Sequence, residues 1–394
     1  MLTTRHDRCQ FESLDKSLEG RDISKNEALE LFISLDSEAI LSNAKRIRDK
    51  FKPGPITYSR KIFFNVMNLC RDFCSYCTYR KAPTDNLVSM MTPYDVLRLA
   101  RTGKRFRCTE ALLVTGERPE QRYPEARSWL HSLGHSSTIN YLSEISELIL
   151  QKTGLLPHTN AGSMTKKEMS LLKHTNVSLG VMLESSSEKL KGKGMPHEFA
   201  PSKDPKVRLK TLESAGELSI PITTGLLVGI GEEPSDIVDS LYLIKEINRK
   251  YGHIQEVIIQ NFTPKQATQM ANTQPPSADY FLKTVGLARI ILKEMNIQVP
   301  PNLSPHHFGN FLEAGINDWG GISPVTIDHV NPEFPWPSIS TIDEITRKYG
   351  FSLRARLPIY PEFIFNDSFI SQDLKSFVKP ISDEFGLVPE GYLL

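Results

Sequence analysis

Three cysteines, Cys70, Cys74 and Cys77, stand in the stretch FNVMNLCRDFCSYCTYRKAP with the spacing C-x3-C-x2-C. Thiolates on one short loop suit a soft metal centre. A structural zinc site takes four protein ligands. No CxxC partner occurs elsewhere in the chain, so His158, His174 or His197 would have to complete such a site. A [4Fe–4S] cluster normally takes four cysteines. Held by three, it keeps one iron open, and an open position is what separates a catalytic metal site from a closed structural one. Three unligated thiols are the remaining alternative. Cys9, in a polar leader, and Cys108, just before an apolar strand, lie apart from the cluster. Five cysteines with three grouped do not make a disulfide framework and suit a reducing cytoplasm.

The elements that must position this loop alternate between apolar strands and amphipathic helices. KIFFNVM (61–67) predicts a first strand that ends just before the cysteines. TPYDVLRLARTGKRF predicts a helix, with Thr92 as its cap and Pro93 at its first position. ALLVT (111–115) and LLPHTN (155–160) predict strands two and three, and the helix between them carries an apolar stripe from Ile139 to Ile149. VSLGVMLES (177–185), IPITTGLLVGI (220–230) and IQEVIIQNF (254–262) predict strands four to six. IQVPPNL (297–303) and GINDWGG (315–321) predict short seventh and eighth strands. Eight strand–helix repeats make a (βα)8 TIM-type α/β barrel, closed or partly open at its last two strands. Residues 1–55 read as a helical N-terminal leader, 56–330 as the barrel domain and 331–394 as a C-terminal extension packed on it.

In such barrels function gathers at the C-terminal ends of the strands. The cysteines follow strand one, TGERPE strand two, TNAG strand three, GIGEEP strand five and QNFTPKQAT strand six, while Glu184 ends strand four. The chemically rich segments therefore share one rim. Composition narrows the partners: 47 Lys plus Arg against 46 Asp plus Glu leave a net charge of +1, which offers nothing to nucleic acid or a membrane surface. No apolar run is long enough to span a bilayer.

C-x3-C-x2-C after a first barrel strand resembles the radical S-adenosylmethionine (SAM) superfamily. NLCRDFCSYCTY, LLVTGERPE, TTGLLVGIGEEPSD, VIIQNFTPK and DWGGISPVTIDHVNPEFPWP further resemble one family within it, the 7,8-didemethyl-8-hydroxy-5-deazariboflavin (FO) synthases. The resemblance implies a [4Fe–4S] cluster on Cys70, Cys74 and Cys77, with the amino and carboxylate groups of SAM on the open iron. It implies a lyase of deazaflavin coenzyme biosynthesis, acting through a 5′-deoxyadenosyl radical. Its substrate would be 5-amino-5-(4-hydroxybenzyl)-6-(D-ribitylimino)-5,6-dihydrouracil, which closes to FO and loses ammonia. A ferredoxin or flavodoxin would be the reductant, and a partner subunit would make the substrate from tyrosine and an aminouracil. A different radical SAM reaction, such as that partner subunit's, and a non-catalytic metal module remain the alternatives.

Roles carried over by the resemblance fall on particular positions. Tyr76 would approach the adenine of SAM. Thr115-Gly116-Glu117 stands where relatives have Gly-Gly-Glu and would meet the SAM amino group, a carboxylate being suited to an ammonium. Glu184 and Arg208 would hold SAM, the Arg fork matching its carboxylate. Asn160, Ser185 and Gly229 would make neighbouring contacts, the last through close backbone approach. Gln260, Asn261 and Lys265 after strand six, with Asn317, Asp318 and Trp319 at the end of strand eight, would contact the organic substrate.

Overall fold

The computed structural model describes residues 5–393, with side chains from residue 12 onward, so the Cys9 side chain lies outside the described residues. Three helices come first: α1 (Arg5–Leu18), α2 (Lys25–Ser34) and α3 (Ser37–Phe51). Then follow β1 (Ile56–Met67), α4 (Pro93–Arg105), β2 (Glu110–Thr115), α5 (Pro119–Arg122), α6 (Pro124–Ser132), α7 (Thr138–Thr153), β3 (Leu156–Asn160) and α8 (Lys166–Leu172). The second half holds β4 (Ser178–Gly180), α9 (Pro205–Glu217), β5 (Ile222–Val228), α10 (Pro234–Tyr251), β6 (Ile254–Asn261), α11 (Ala278–Leu292), β7 (Ile297–Gln298) and β8 (Asp318–Ile322). The chain continues through α12 (Ile339–Lys348), β9 (Leu353–Arg356), α13 (Pro361–Ile364) and α14 (Gln372–Val378).

Local chemistry sets these boundaries. Thr92 and Asp95 form a reciprocal capping box ahead of α4, and Thr165 and Glu168 do the same for α8. α7 and α10 stop at Gly154 and Gly252, both in the left-handed conformation that glycine adopts without steric cost. Ile139, Leu142, Ile145 and Ile149 of α7 are buried, as their spacing predicts. All seven residues of β5 are buried, because a parallel strand is covered on both faces.

The strands run in the order β2-β3-β4-β5-β6-β7-β8-β1, and β1 also pairs with β2, so eight parallel strands close a barrel among the described residues. The length of β1 gives it three partners. Its later residues pair with β2, from Lys61↔Glu110 to Met67↔Thr115, and its first four pair on that edge with β9, from Ile56↔Leu353 to Ser59↔Arg356. β8 takes the other edge. Sequence patterning predicts neither β9 nor the short helices α5 and α6.

β9 then leads the chain across the barrel's N-terminal end. There Arg356 pairs with Glu256 of β6 at 2.8 Å and Asp318 of β8 at 2.6 Å. Tyr360 donates its hydroxyl to Glu256 at 3.0 Å, and Gln255 donates to the Pro358 carbonyl at 3.1 Å. The bottom of the barrel is therefore closed by residues from the last sixty of the chain. The first helices cover the outside: Ser17 donates to the Ile290 carbonyl of α11 at 2.8 Å, and the Arg48 guanidinium stacks 4.1 Å from the Phe351 ring.

Strands β1, β4, β7 and β8 differ most from their sequence expectation: β1 begins five residues earlier, at Ile56, and β7 already ends at Gln298. Regular pairing of β4 stops at Gly180, because the Leu183 N–H donates to the Thr224 hydroxyl where a carbonyl would continue the ladder, and Glu184 turns the chain at φ 67°. β8 begins, and does not end, at Asp318. No helix among the described residues is long and apolar enough to cross a membrane.

Candidate functional site

The cysteine loop leaves β1 at Met67 and is pinned from several sides. The Asn68 side chain donates to the Leu87 carbonyl at 2.9 Å and accepts from the Ser89 N–H at 2.7 Å. The Asp72 carboxylate accepts from the Ser202 N–H at 3.1 Å and its hydroxyl at 3.3 Å. The backbone of Arg71 donates to the Glu117 carbonyl, that of Phe73 to Phe199 and that of Ser75 to Pro196. Arg80 and Arg122 both stack on the Phe73 ring, at 3.8 and 4.0 Å. Asn68, Arg71 and Asp72 thus hold the loop's shape, roles that their types alone do not disclose.

Cys70, Cys74 and Cys77 line one cavity of about 340 Å³ that runs into the barrel. No three His, Cys, Asp or Glu side chains among the described residues are disposed to hold a single metal ion. That disfavours the zinc reading; a cuboidal cluster spreads three thiolates over three irons, so its ligands need not converge on one point. Burial and the neighbouring Cys77 push the Cys70 thiol up to about 12, and burial raises Cys74 further. A strongly cationic centre is what holds such sulfurs as thiolates. The Glu117 N–H already donates to Cys70 Sγ at 3.1 Å, the kind of second-layer bond that tunes a cluster sulfur. The donor set fits the iron–sulfur group. Cys108, by contrast, is buried on the far side of the sheet and donates to the Lys61 carbonyl.

The residues expected around SAM share this cavity. Glu117 is 5% exposed. One of its oxygens accepts from the Ser163 N–H at 3.0 Å and lies 3.6 Å from Arg208 Nη2; the other, Oε1, is buried without a hydrogen-bond partner. Burial holds this carboxyl above its ordinary value against the pull of Arg208. Oε1 lies 3.7 Å from Arg118 Nε but accepts no hydrogen bond, so beside the cysteines it keeps lone pairs for an incoming ammonium. Glu184, aimed by its left-handed backbone, pairs with Lys203. A non-glycine residue in that conformation stores of the order of 1 kcal/mol of strain, which clusters at functional sites. Tyr76 donates or accepts at His197 Nε2 at 3.0 Å and packs among Leu190, Leu227 and Phe262. Thr115, Gly116 and Asn160 line the same space.

Gln260, Asn261 and Lys265 also face the cavity; the Lys265 ammonium donates to the Val330 carbonyl at 2.8 Å. Five expected residues do not reach it. Ser185 accepts from the Ser187 N–H in a buried turn. Gly229 sits at φ 97° in a turn folded over Glu232, whose carboxylate takes its N–H at 2.6 Å, so this glycine serves the turn. Asn317, Asp318 and Trp319 stand at the start of β8, away from the rim. Asn317 accepts from Arg289 at 2.7 Å, Asp318 is the partner of Arg356, and Trp319 donates to Thr346 at 3.0 Å and packs on Phe308. All three are structural. Sequence reasoning also passed over Lys61, Glu110, Glu256, Gln298, Lys203 and Trp336, all of which line the cavity. For Lys61, Glu110 and Glu256 the available signal was a charged residue inside a largely apolar strand.

A three-cysteine loop over the mouth of a parallel barrel, with a buried acid and arginine beside it, defines a radical SAM enzyme, and residues 64–244 match the Radical SAM superfamily. The chain is 43% identical to the 7,8-didemethyl-8-hydroxy-5-deazariboflavin synthase of Methanopyrus kandleri, over 84% of this chain and 99% of that one. It is 44% identical to the synthase of the same name from Methanocaldococcus jannaschii, over 87% of this chain and 94% of the relative. The chain belongs to the 7,8-didemethyl-8-hydroxy-5-deazariboflavin synthase family. Its fold is shared with the FeFe-hydrogenase maturase HydG of Carboxydothermus hydrogenoformans, at a TM-score of 0.74 and 20% identity over 98% of this chain and 88% of that one.

Proposed function

We propose that this chain converts 5-amino-5-(4-hydroxybenzyl)-6-(D-ribitylimino)-5,6-dihydrouracil to the deazaflavin chromophore FO, with loss of ammonia. The observation that carries the reading is one continuous cavity: the three cysteines, Glu117, Glu184 and Arg208 line its mouth, and unpartnered polar side chains line its depth. When bound, the cluster and SAM supply a one-electron cleavage that yields a carbon radical able to take a hydrogen atom. Cys70, Cys74 and Cys77 hold the cluster. Glu117, held between Arg118 at 3.7 Å and Arg208 at 3.6 Å, would receive the ammonium of the methionine moiety, and Arg208 would take its carboxyl group. Phe63, Tyr79, Val114 and Leu227 give the middle of the cavity an apolar wall that excludes water and stray hydrogen donors. Asn160 and Gln260, whose amides find no partner among the described residues, supply directional contacts for the substrate.

This reading calls for a one-electron donor such as a ferredoxin or flavodoxin, and for a partner subunit that joins tyrosine to an aminouracil. The test is an anaerobic assay of the reconstituted protein with SAM, a reductant and the tyrosine–aminouracil adduct. FO fluorescence rising together with 5′-deoxyadenosine is expected. Deoxyadenosine without FO would leave a radical SAM enzyme of another specificity, such as the adduct-forming subunit's. A colourless protein that makes neither product would remove the enzymatic reading.

A further inference from the structure

Below the cysteine rim the cavity ends among side chains that no part of the proposed reaction has yet used. Lys61 of β1, His158 of β3 and Gln298 of β7 all line it there. The Ser178 hydroxyl fixes the state of His158. It donates its only proton to the Pro358 carbonyl, so at 2.6 Å from His158 Nδ1 it can only accept. The imidazole proton therefore sits on Nδ1, and Nε2 carries a bare lone pair. No described residue hydrogen-bonds Nε2, and Gly180 keeps the space beside it open: a Cβ at that position would lie 2.8 Å from Nε2. Burial holds this imidazole down at about 4, so it is neutral at neutral pH.

The neighbouring groups include two donors, Lys61 and Gln298, beside the carboxylates of Glu110 and Glu256. The Lys61 ammonium lies over the Trp336 ring, 4.5 Å from its centroid, and makes no hydrogen bond among the described residues. Glu110, its register partner on β2, accepts from the Ser59 hydroxyl through one oxygen, Oε2. The Gln298 amide is 5% exposed and unpartnered. All three polar ends face the cavity, where a ligand can reach them, and together they describe part of the outline of one.

We propose that this floor binds the imide edge of the uracil ring, with His158 Nε2 accepting from the N3–H and Lys61 donating to a flanking carbonyl oxygen. The proposal rests on the function given above and names the side chains that orient its substrate. Of the substrate's three parts, only the imide alternates acceptor, donor and acceptor along one edge, which matches a fixed acceptor set among fixed donors. A ribityl chain offers hydroxyls that donate and accept alike and would not need a tautomer-fixed imidazole. The phenol ring suits the apolar wall higher up, towards the cysteines.

Anaerobic calorimetry with two stable probes, 6-(D-ribitylamino)uracil and its N3-methyl derivative, tests the assignment without requiring turnover. The wild-type holoenzyme is expected to prefer the unmethylated probe by about 10- to 100-fold. His158→Phe keeps the bulk but removes the lone pair; it should bind that probe about 10- to 100-fold more weakly and discriminate less than about twofold. Lys61→Met should weaken both probes alike and keep the preference. SAM cleavage by reduced variants reports that each is folded and loaded; if His158→Phe fails that check, His158→Leu, which also lacks an acceptor, takes its place with the same expectation. A wild type without preference, or a His158 variant that keeps it, overturns the assignment. Failure of the proposed reaction looks different: the adduct gives deoxyadenosine but no FO, whatever the probes do.

Discussion

At the scale of single residues, the cysteine loop depends on backbone approach as much as on sulfur. A Cβ at Gly116 would fall 2.0 Å from the Leu69 carbonyl oxygen and 2.7 Å from Cys70 Cβ. No rotamer relieves a clash with backbone, so Gly116→Ala must push the loop away from β2. The expected cost is about 1–3 kcal/mol of local strain, read as loss of visible iron–sulfur absorption after reconstitution while the far-ultraviolet circular dichroism is unchanged. Full absorption in that variant would show that the loop does not need this approach. The close approach is made at Gly116, while Thr115 is among the residues lining the cavity.

At the scale of elements, β1 and β9 decide how deep the site can be. β1 has twelve residues, enough to carry the cysteine loop at one end and to pair with β9 at the other. β9 delivers Arg356 into a fully buried group with Glu256, Asp318 and Tyr360. Removing one member of such a group strands the others as unpaired buried charge. Arg356→Ala is therefore expected to lose about 3–5 kcal/mol of stability, seen as a lower urea midpoint. It should also admit water to the floor and weaken binding of the ribityluracil probe. A midpoint equal to the wild type's would mean that the pair contributes nothing to closing the barrel.

At the scale of the whole molecule, buried imidazoles tie stability to pH. His158 and His253 are both held down at about 4 by burial. The unfolded chain takes up these protons near 6.5 and the folded one does not. Their contribution is complete above about 6.5 and is lost as pH falls towards 4, with a limiting slope of about 1.4 kcal/mol per pH unit for each group. Glu117 and Glu232, raised by burial, act with the opposite sign. The imidazole share is thus read as a difference: urea midpoints at pH 7.5 and 5.0 should fall less in His253→Gln than in the wild type. Equal falls in both proteins would show that His253 is protonated in the folded state.

The sequence by itself determined the barrel, the cysteine ligands and the rim on which the chemistry sits. Strand alternation, capping boxes and a local C-x3-C-x2-C spacing are short-range signals, and each acts within a few residues of itself. The family too was legible, because its motifs lie along the strand ends. Only the tertiary structure decided what lies deeper. Asn317, Asp318 and Trp319 belong to the wrong end of β8, a matter of where a five-residue strand starts, which composition does not mark. Lys61, His158 and Gln298 come from β1, β3 and β7, and nothing in their separate neighbourhoods says that they meet. The tautomer of His158 is set by a carbonyl 200 residues away at Pro358. Long-range contacts of this kind depend on barrel closure, and closure is a property of the whole chain.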